Sequence, residues 1–322
     1  MKLKTFIIMG LLSMFGLGSC NAQQKDNIAK GNCNDQQKDS IVHKELHYTM
    51  DENAPKNYYQ IAISVYRCGY RVFVNDIPVT NVRDVIYPFE SIEALFPINE
   101  YIHRSGTQKL KVEFYPREGY EENGSENEKS IYLKYLEVRK YIYSDDNHYD
   151  TIHINPVPKI KKGTTPYVYE TDFHAEVPHD IPILDECVRL DTIPNIGKLV
   201  QEKYNELKTM CEKGKYSQFI DEFFIPGKIY SIINYYPDDT DSYNEQQREH
   251  SAAFMREEYK EKVGPIKNYE MQFYGKGKLV TLINKTDSLA TFRLYTRSDY
   301  CETFEFYLGM RKGSDKLEII YK

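Results

Sequence analysis

At 322 residues the chain is long enough for about two domains, each able to bury its own core. Its 42 Lys and Arg against 48 Asp and Glu leave a net charge of −6, which gives no electrostatic reason to bind nucleic acid. A mean hydropathy of −0.63 with one apolar run excludes a multi-span membrane protein, and 29 Tyr with 15 Phe argue against a mostly disordered chain.

The chain opens with Lys2 and Lys4, followed by an apolar run from Phe6 to Leu17 broken by Gly10 and Ser13. The run is too short for a spanning helix of about 20 residues and reads as an export signal. It ends at Leu17-Gly18-Ser19-Cys20. This resembles the lipobox of bacterial lipoproteins, an aliphatic residue and two small residues before a Cys. The resemblance implies cleavage after residue 19 and lipidation of Cys20. Two or more acyl chains anchor stably where one binds only marginally. The residues after Cys20 carry no strong acidic cluster, so the expected location is the bacterial cell envelope, lipid-anchored, with the periplasmic face favoured over the cell surface.

Residues 20–40 are Gln, Asn, Lys and Asp with almost no apolar side chains, and read as a flexible tether. The other cysteines (Cys33, Cys68, Cys187, Cys211 and Cys301) form no Cys-x-x-Cys pair and read as buried free thiols.

From 41 to 185 the hydrophobic period is two. Tyr59, Ile61, Ile63 and Val65 alternate with polar or small residues, as do Leu110, Val112 and Phe114. Further strands run from Arg71 to Val74, from Ile131 to Tyr143, from Thr151 to Ile154 and from Tyr167 to Tyr169. Turn residues separate them at Asn75-Asp76, at Ser105-Gly106 and over 118–128. Short alternating strands with polar turns predict an N-terminal all-β sandwich. The passage Arg71 to Val79, with Ser105-Gly106-Thr107-Gln108-Lys109-Leu110-Lys111-Val112, resembles galactose-binding-like jelly rolls. Asp76 stands where that family carries Gly and Gln108 where it carries Asn. The resemblance implies a fold and no ligand.

From 190 to 322 the pattern changes to a C-terminal α+β domain, with helices packed on an antiparallel meander. Ile196, Leu199, Val200, Tyr204, Leu207 and Cys211 form a helical stripe stopped by Gly214. A second helix spans 216–224, closed by Pro226-Gly227. A third carries Ala252, Met255, Tyr259 and Val263 to a stop at Gly264-Pro265. Five strands follow around Met271, Thr281, Phe292, Phe306 and Ile319. Helices first and a meander after resemble the nuclear-transport-factor-2-like cone fold. The boundary between the two domains falls at 185–190, within a stretch expected to be open to proteases.

Motifs for chemistry are missing. There is no Gly-x-Ser-x-Gly nucleophile elbow and no His-Glu-x-x-His zinc face. Gly275-Lys276-Gly277-Lys278 lacks the spacing of a phosphate loop and reads as a hairpin turn. Asp238, Asp239 and Asp241 are the weak candidates for a cation loop, but the run lacks the Gly that a tight calcium loop needs. The plainer reading is a solvated turn with Asp241 or Ser242 capping the third helix. No cofactor is expected. Tyr joins a flat apolar ring to a hydrogen-bonding tip and is favoured at binding surfaces, so Tyr141, Tyr143, Tyr235 and Tyr236 are the candidate binding surface.

These readings favour a non-catalytic envelope lipoprotein that binds another protein, for example an immunity or inhibitor protein against an exported toxin. Glycan or small-ligand binding is the alternative. An envelope hydrolase with an unrecognised site is the second.

Overall fold

A computed structural model describes residues 45–82, 91–116, 121–122, 130–142, 145–154, 166–235 and 240–322. The signal segment, Cys20, the tether, Cys33, Tyr143, Tyr236, Asp238 and Asp239 lie outside these residues.

The N-terminal region is β-rich. In chain order its strands are β1 (Thr49–Met50), β2 (Asn57–Tyr66), β3 (Cys68–Val74), β4 (Ile77–Val82), β5 (Ser91–Pro97), β6 (Gly106–Pro116), β7 (Glu121–Glu122), β8 (Ser130–Ile142), β9 (Asp145–Ile154), β10 (Tyr167–Ala175) and β11 (His179–Asp180). One sheet runs β5-β2-β8-β7, with β9 also on β8. A second runs β10-β6-β3-β4. The alternation in β2 places Tyr59, Ile61, Ile63 and Val65 inward, opposite Leu136 and Val138 of β8. Val72 and Val74 of β3 and Leu110, Val112 and Phe114 of β6 come from the other sheet into the same cluster. The tight hairpin between β3 and β4 turns at Asn75 and Asp76, both at positive φ (53° and 65°), a geometry that short polar residues tolerate.

The C-terminal region mixes helices and sheets. Its helices are α1 (Ile183–Glu186), α2 (Ile196–Glu212), α3 (Tyr216–Asp221), α4 (Phe224–Ile233) and α5 (Thr240–Glu258). Its strands are β12 (Tyr259–Val263), β13 (Tyr269–Tyr274), β14 (Leu279–Asn284), β15 (Arg293–Thr296), β16 (Cys301–Thr303), β17 (Tyr307–Gly309) and β18 (Glu318–Tyr321). Ile196, Val200, Tyr204, Leu207 and Cys211 are the buried stripe of α2, packed with Phe292, Phe306 and Ile319.

Several boundaries differ from those read in the sequence. Pro226-Gly227 does not end a helix. Pro226 stands third in α4, where its missing N–H would lack a helical partner anyway. The third helix ends at Glu258, and Tyr259 and Val263 sit on β12, paired with Thr296 and Leu294. Residues four apart share a face in a helix and also in a strand, so the stripe fits both periods. Helix α5 starts at Thr240, which puts Asp241 and Ser242 inside its first turn rather than at its cap. The meander is divided between two sheets, β12-β15-β16 and β13-β14-β17-β18.

A third apolar cluster joins the two regions. Leu46, Phe73 and Ile77 meet Ile225, Ile229, Tyr274, Leu279, Ile320 and Tyr321. The two hairpin turns also meet there: the N–H groups of Gly275 and Lys276 donate to the carbonyl (3.1 Å) and carboxylate (2.8 Å) of Asp76. The stretch around 180–195 is not an open linker. Ile181, Ile183, Cys187 and Leu190 are buried. The Val188 and Leu190 N–H groups donate to Met310 (2.9 Å) and Gly277 (2.7 Å). A side chain on Gly277 would run into Asp191 at 2.6 Å, so this closure needs glycine.

Candidate functional site

Two arrangements of side chains stand out, and Tyr141 belongs to the first. Inward residues of β2 alternate with an outward set: Tyr58, Gln60, Ala62, Ser64 and Tyr66. The register puts Tyr58 beside Tyr141, Gln60 beside Arg139, Ala62 beside Glu137 and Ser64 beside Tyr135. Strand β9 extends the first row, with Tyr149 opposite Tyr141 and their rings 5.4 Å apart. Strand β5 closes the other side with Leu95 and Glu93, opposite Ala62 and Ser64.

The result is a Tyr-rich outer sheet face over a floor of small residues. Ala62 and Ser64 are fully covered, while Tyr149 is 46% and Leu95 50% exposed. The guanidinium of Arg139 lies 4.5 Å from the Tyr149 ring and 5.9 Å from the Tyr135 ring. It donates to Glu137 at 2.8 Å. Partial burial works against the Arg139 charge, and the hydrogen bond and charge of Glu137, with Tyr149 and Tyr141, together more than restore it. Lys134 donates to Glu93 at 3.3 Å along the rim. Burial, with Glu93 nearby, raises the Tyr135 hydroxyl, which therefore stays protonated. Tyr and Arg with few unpaired charges are the composition that protein interfaces favour.

Tyr235 has a different role. It follows α4 at a positive φ of 57°, and its hydroxyl donates to the Asn57 carbonyl at 2.6 Å. It holds the C-terminal region against the first residue of β2, so its tip is engaged within the chain. Asn57 precedes Tyr58, so Tyr235 and Tyr141 flank the same end of β2.

The second arrangement lies on the seam between the regions. Arg71, 7% exposed, donates to the Tyr274 hydroxyl at 2.6 Å and pairs with Glu113 at 3.6 Å. Tyr274 donates onward to Gln272, and Tyr307 donates to Glu305. The Tyr321 ring stacks on His103 with centroids 5.5 Å apart, and its hydroxyl meets His103 Nε2. Burial, then His179 and Arg104, pull His103 down to about 4, so it is neutral. Its ring also donates to the Glu100 backbone carbonyl, which leaves Nε2 as the acceptor for Tyr321. Burial pushes the Glu100 carboxyl up to about 7 against the pull of Lys322. The same enclosure brings Lys322 down to about 8 against the pull of Glu100.

Glu305 separates Phe304 and Phe306, both buried, and lies within electrostatic reach of Arg71. Glu305 itself is exposed, and crowding by neighbouring atoms raises its carboxyl. Glu100, Tyr101 and His103 on the seam are partly accessible.

A shallow groove of about 400 Å³ lies elsewhere, along α2 and the turn into α3, between Glu202, Glu206, Lys213 and Gln218. It is open, and Glu206 is already paired with Lys203 at 3.1 Å. Among the described residues no group of three or more His, Cys, Asp or Glu is placed to hold a metal. The backbone of Asp241 lies in α5. Cys68, Cys187 and Cys211 are buried and unpaired, whereas Cys301 is exposed. Burial pushes the Cys68 and Cys187 thiols up to about 12, which removes them as nucleophiles at neutral pH. No helix among the described residues is long and apolar enough to cross a membrane.

No protein-family model, curated protein or solved structure matches the chain.

Proposed function

We propose that the chain is an envelope lipoprotein, anchored through Cys20 and facing the periplasm, that acts without catalysis by binding another protein. In this reading the N-terminal region is a β-sandwich domain that presents the binding face, and the C-terminal region is an α+β domain. Neutralisation of an exported toxin is the biological role that fits such a protein. The observation that carries the reading is the row Tyr58, Tyr141 and Tyr149 with Arg139 stacked beside it, on a sheet face where Tyr149 is exposed. Rigid aromatic rings bind at small entropic cost, and Tyr and Arg supply most binding hot spots.

The test is affinity capture from solubilised envelope and secreted fractions. The baits are the wild-type chain, the triple variant Arg139→Ala, Tyr141→Ala, Tyr149→Ala, and the variant Tyr300→Ala. Tyr300 is 66% exposed and lies outside the sheet face. A stoichiometric partner on the wild type and on Tyr300→Ala, lost at least about tenfold on the folded triple variant, is expected. Equal recovery by the triple variant, or no partner on the wild type, refutes this reading.

A further inference from the structure

We propose that the free edge of β5 is a self-association surface, on which β5 of a second copy of this chain pairs antiparallel about a two-fold axis at Leu95.

A strand at the edge of a sheet presents a row of backbone donors and acceptors, and such rows are ordinarily blunted by Pro, by charge, by short length or by irregular pairing. The other edges of the two N-terminal sheets are blunted in these ways. Strand β4 carries Pro78 within it and shifts register against β3. Strand β10 holds Glu170, Asp172 and His174 exposed. Strand β7 is two residues long. Strand β9 carries Asp145, Asp146 and Asp150 and shifts register twice against β8. Strand β5 differs from all of them. It pairs with β2 in unbroken register, and its only Pro stands at its last position. Its one charge, Glu93, is answered by Lys134 at 3.3 Å. Among the described residues no strand pairs with its other side.

The ladder fixes which backbone groups face that side. The Ile98 N–H donates to the Tyr59 carbonyl at 3.0 Å, one step beyond the pair Gln60 and Pro97. In an antiparallel ladder, residues bonded to the neighbouring strand alternate with residues whose N–H and C=O point away. Ile98, Phe96 and Ala94 therefore bond toward β2. The N–H and C=O of Glu93 and Leu95 point to the free edge, as does the Pro97 carbonyl. The missing N–H of Pro97 also falls on this side, where a strand tolerates it.

This edge is complementary to itself. With the axis at Leu95, that residue exchanges both backbone bonds with its counterpart, and the Glu93 N–H donates to the Pro97 carbonyl of the other copy. Both donors between Glu93 and Pro97 are thereby satisfied. On the outer face the two Leu95 side chains, each 50% exposed in one chain, cover each other. On the inner face Phe96 stands opposite Ala94, large against small, and both are only partly buried in one chain. Glu93 faces Pro97, so like charges are not opposed, whereas an axis at Glu93 would set the two carboxylates against each other. A two-fold pair of this kind closes on itself and stops at a dimer. One short strand buries less than a permanent dimer needs, so the pairing is reversible.

The test is sedimentation equilibrium of the full chain in density-matched detergent, from about 1 to 300 μM. A reversible monomer–dimer equilibrium is expected. Leu95→Lys, at a half-exposed position, puts two ammonium groups on the axis and should weaken the dimer at least about tenfold. Tyr300→Lys, at a position 66% exposed and outside the sheet face, should leave it unchanged. A second measurement traps the register in a Cys33→Ser, Cys301→Ser background. Opposed residues of a bonded antiparallel pair lie about 5.5 Å apart between Cα atoms, a span that a disulfide fits. Leu95→Cys should therefore cross-link to a dimer under mild oxidation, and Tyr300→Cys should not. A chain that stays monomeric throughout, which would leave the edge to an extended segment of another protein, overturns the proposal. So does a dimer that survives in a folded Leu95→Lys variant, assembly beyond the dimer, or cross-linking no faster at Leu95→Cys than at Tyr300→Cys. The triple variant Arg139→Ala, Tyr141→Ala, Tyr149→Ala should dimerise as the wild type does, so this proposal and the reading of the Tyr-rich face can fail separately.

Discussion

The same residue type does opposite work in two parts of this molecule. On the outer sheet face Tyr58, Tyr141 and Tyr149 stand in a row, Tyr58 and Tyr141 partly buried and Tyr149 nearly half exposed. On the seam Tyr274, Tyr307 and Tyr321 are buried, and each hydroxyl has a hydrogen-bond partner within the chain. A Tyr on the face keeps some contacts for a partner to make. A Tyr on the seam has already made them within the chain.

The largest test of this contrast is Phe73→Ala. Phe73 is buried in the joining cluster, 6.2 Å from the Tyr274 ring and 4.0 Å below the Lys111 ammonium. Urea unfolding should show a loss of about 3–5 kcal/mol, the range for emptying an aromatic site. A loss under about 1 kcal/mol would show that the two regions do not depend on each other for stability. Next in size is a matched pair that removes one hydroxyl. Tyr274→Phe removes the hydroxyl that accepts from Arg71 Nη2, leaving the guanidinium with Glu113, and should cost about 1–3 kcal/mol. Tyr141→Phe on the face should change stability by less than about 0.5 kcal/mol. Equal effects would erase the distinction between the two sets.

The smallest effect is a pH profile with two opposed slopes. His103 titrates near 4 in the fold against 6.5 when exposed, so its contribution is lost as pH falls from 6.5 toward 4. Glu100 holds its proton more tightly folded than unfolded, so its contribution is present below 4.5 and is lost as pH rises through about 7. The two slopes offset each other between pH 4.5 and 6.5, so Glu100→Gln should unmask the His103 loss as pH falls through that window and remove the decline between pH 6.5 and 7. Denaturant midpoints measured across pH 4–8 read this directly. An unchanged slope would mean that Glu100 is well hydrated.

Much of the fold is legible in the sequence because local patterns specify it. The alternation of Tyr59, Ile61, Ile63 and Val65 gives β2 and its inward face, and Asn75-Asp76 and Gly275-Lys276-Gly277 read as turns. That these two turns touch is not legible, since nothing local relates positions two hundred residues apart. The end of α5 is misread because Tyr259 and Val263 satisfy both periods, and pairing with β15 decides between them. The site divides in the same way. Tyr141 can be named from composition, but its neighbours Tyr58, Arg139 and Tyr149 follow only from strand register. Tyr235 is named for the wrong reason, since its tip is bound to Asn57. The seam groups Glu100, His103 and Lys322 carry no motif, and burial in the fold is what shifts each of them.

The segment entering the fold has a mechanical consequence. Before the chain reaches β2, the Glu45 carbonyl accepts from Arg311 at 2.6 Å, Leu46 is buried in the joining cluster, and His47 meets Glu186 at 2.9 Å. Thr49 and Met50 then pair with β11. A pull on the N-terminal end is thus resisted first by these side-chain clamps and by a two-residue ladder, upstream of the Tyr-bearing sheet. Tension would peel the segment from the C-terminal region before it strained β2, so the sheet face would keep its shape under load while the clamps yielded first.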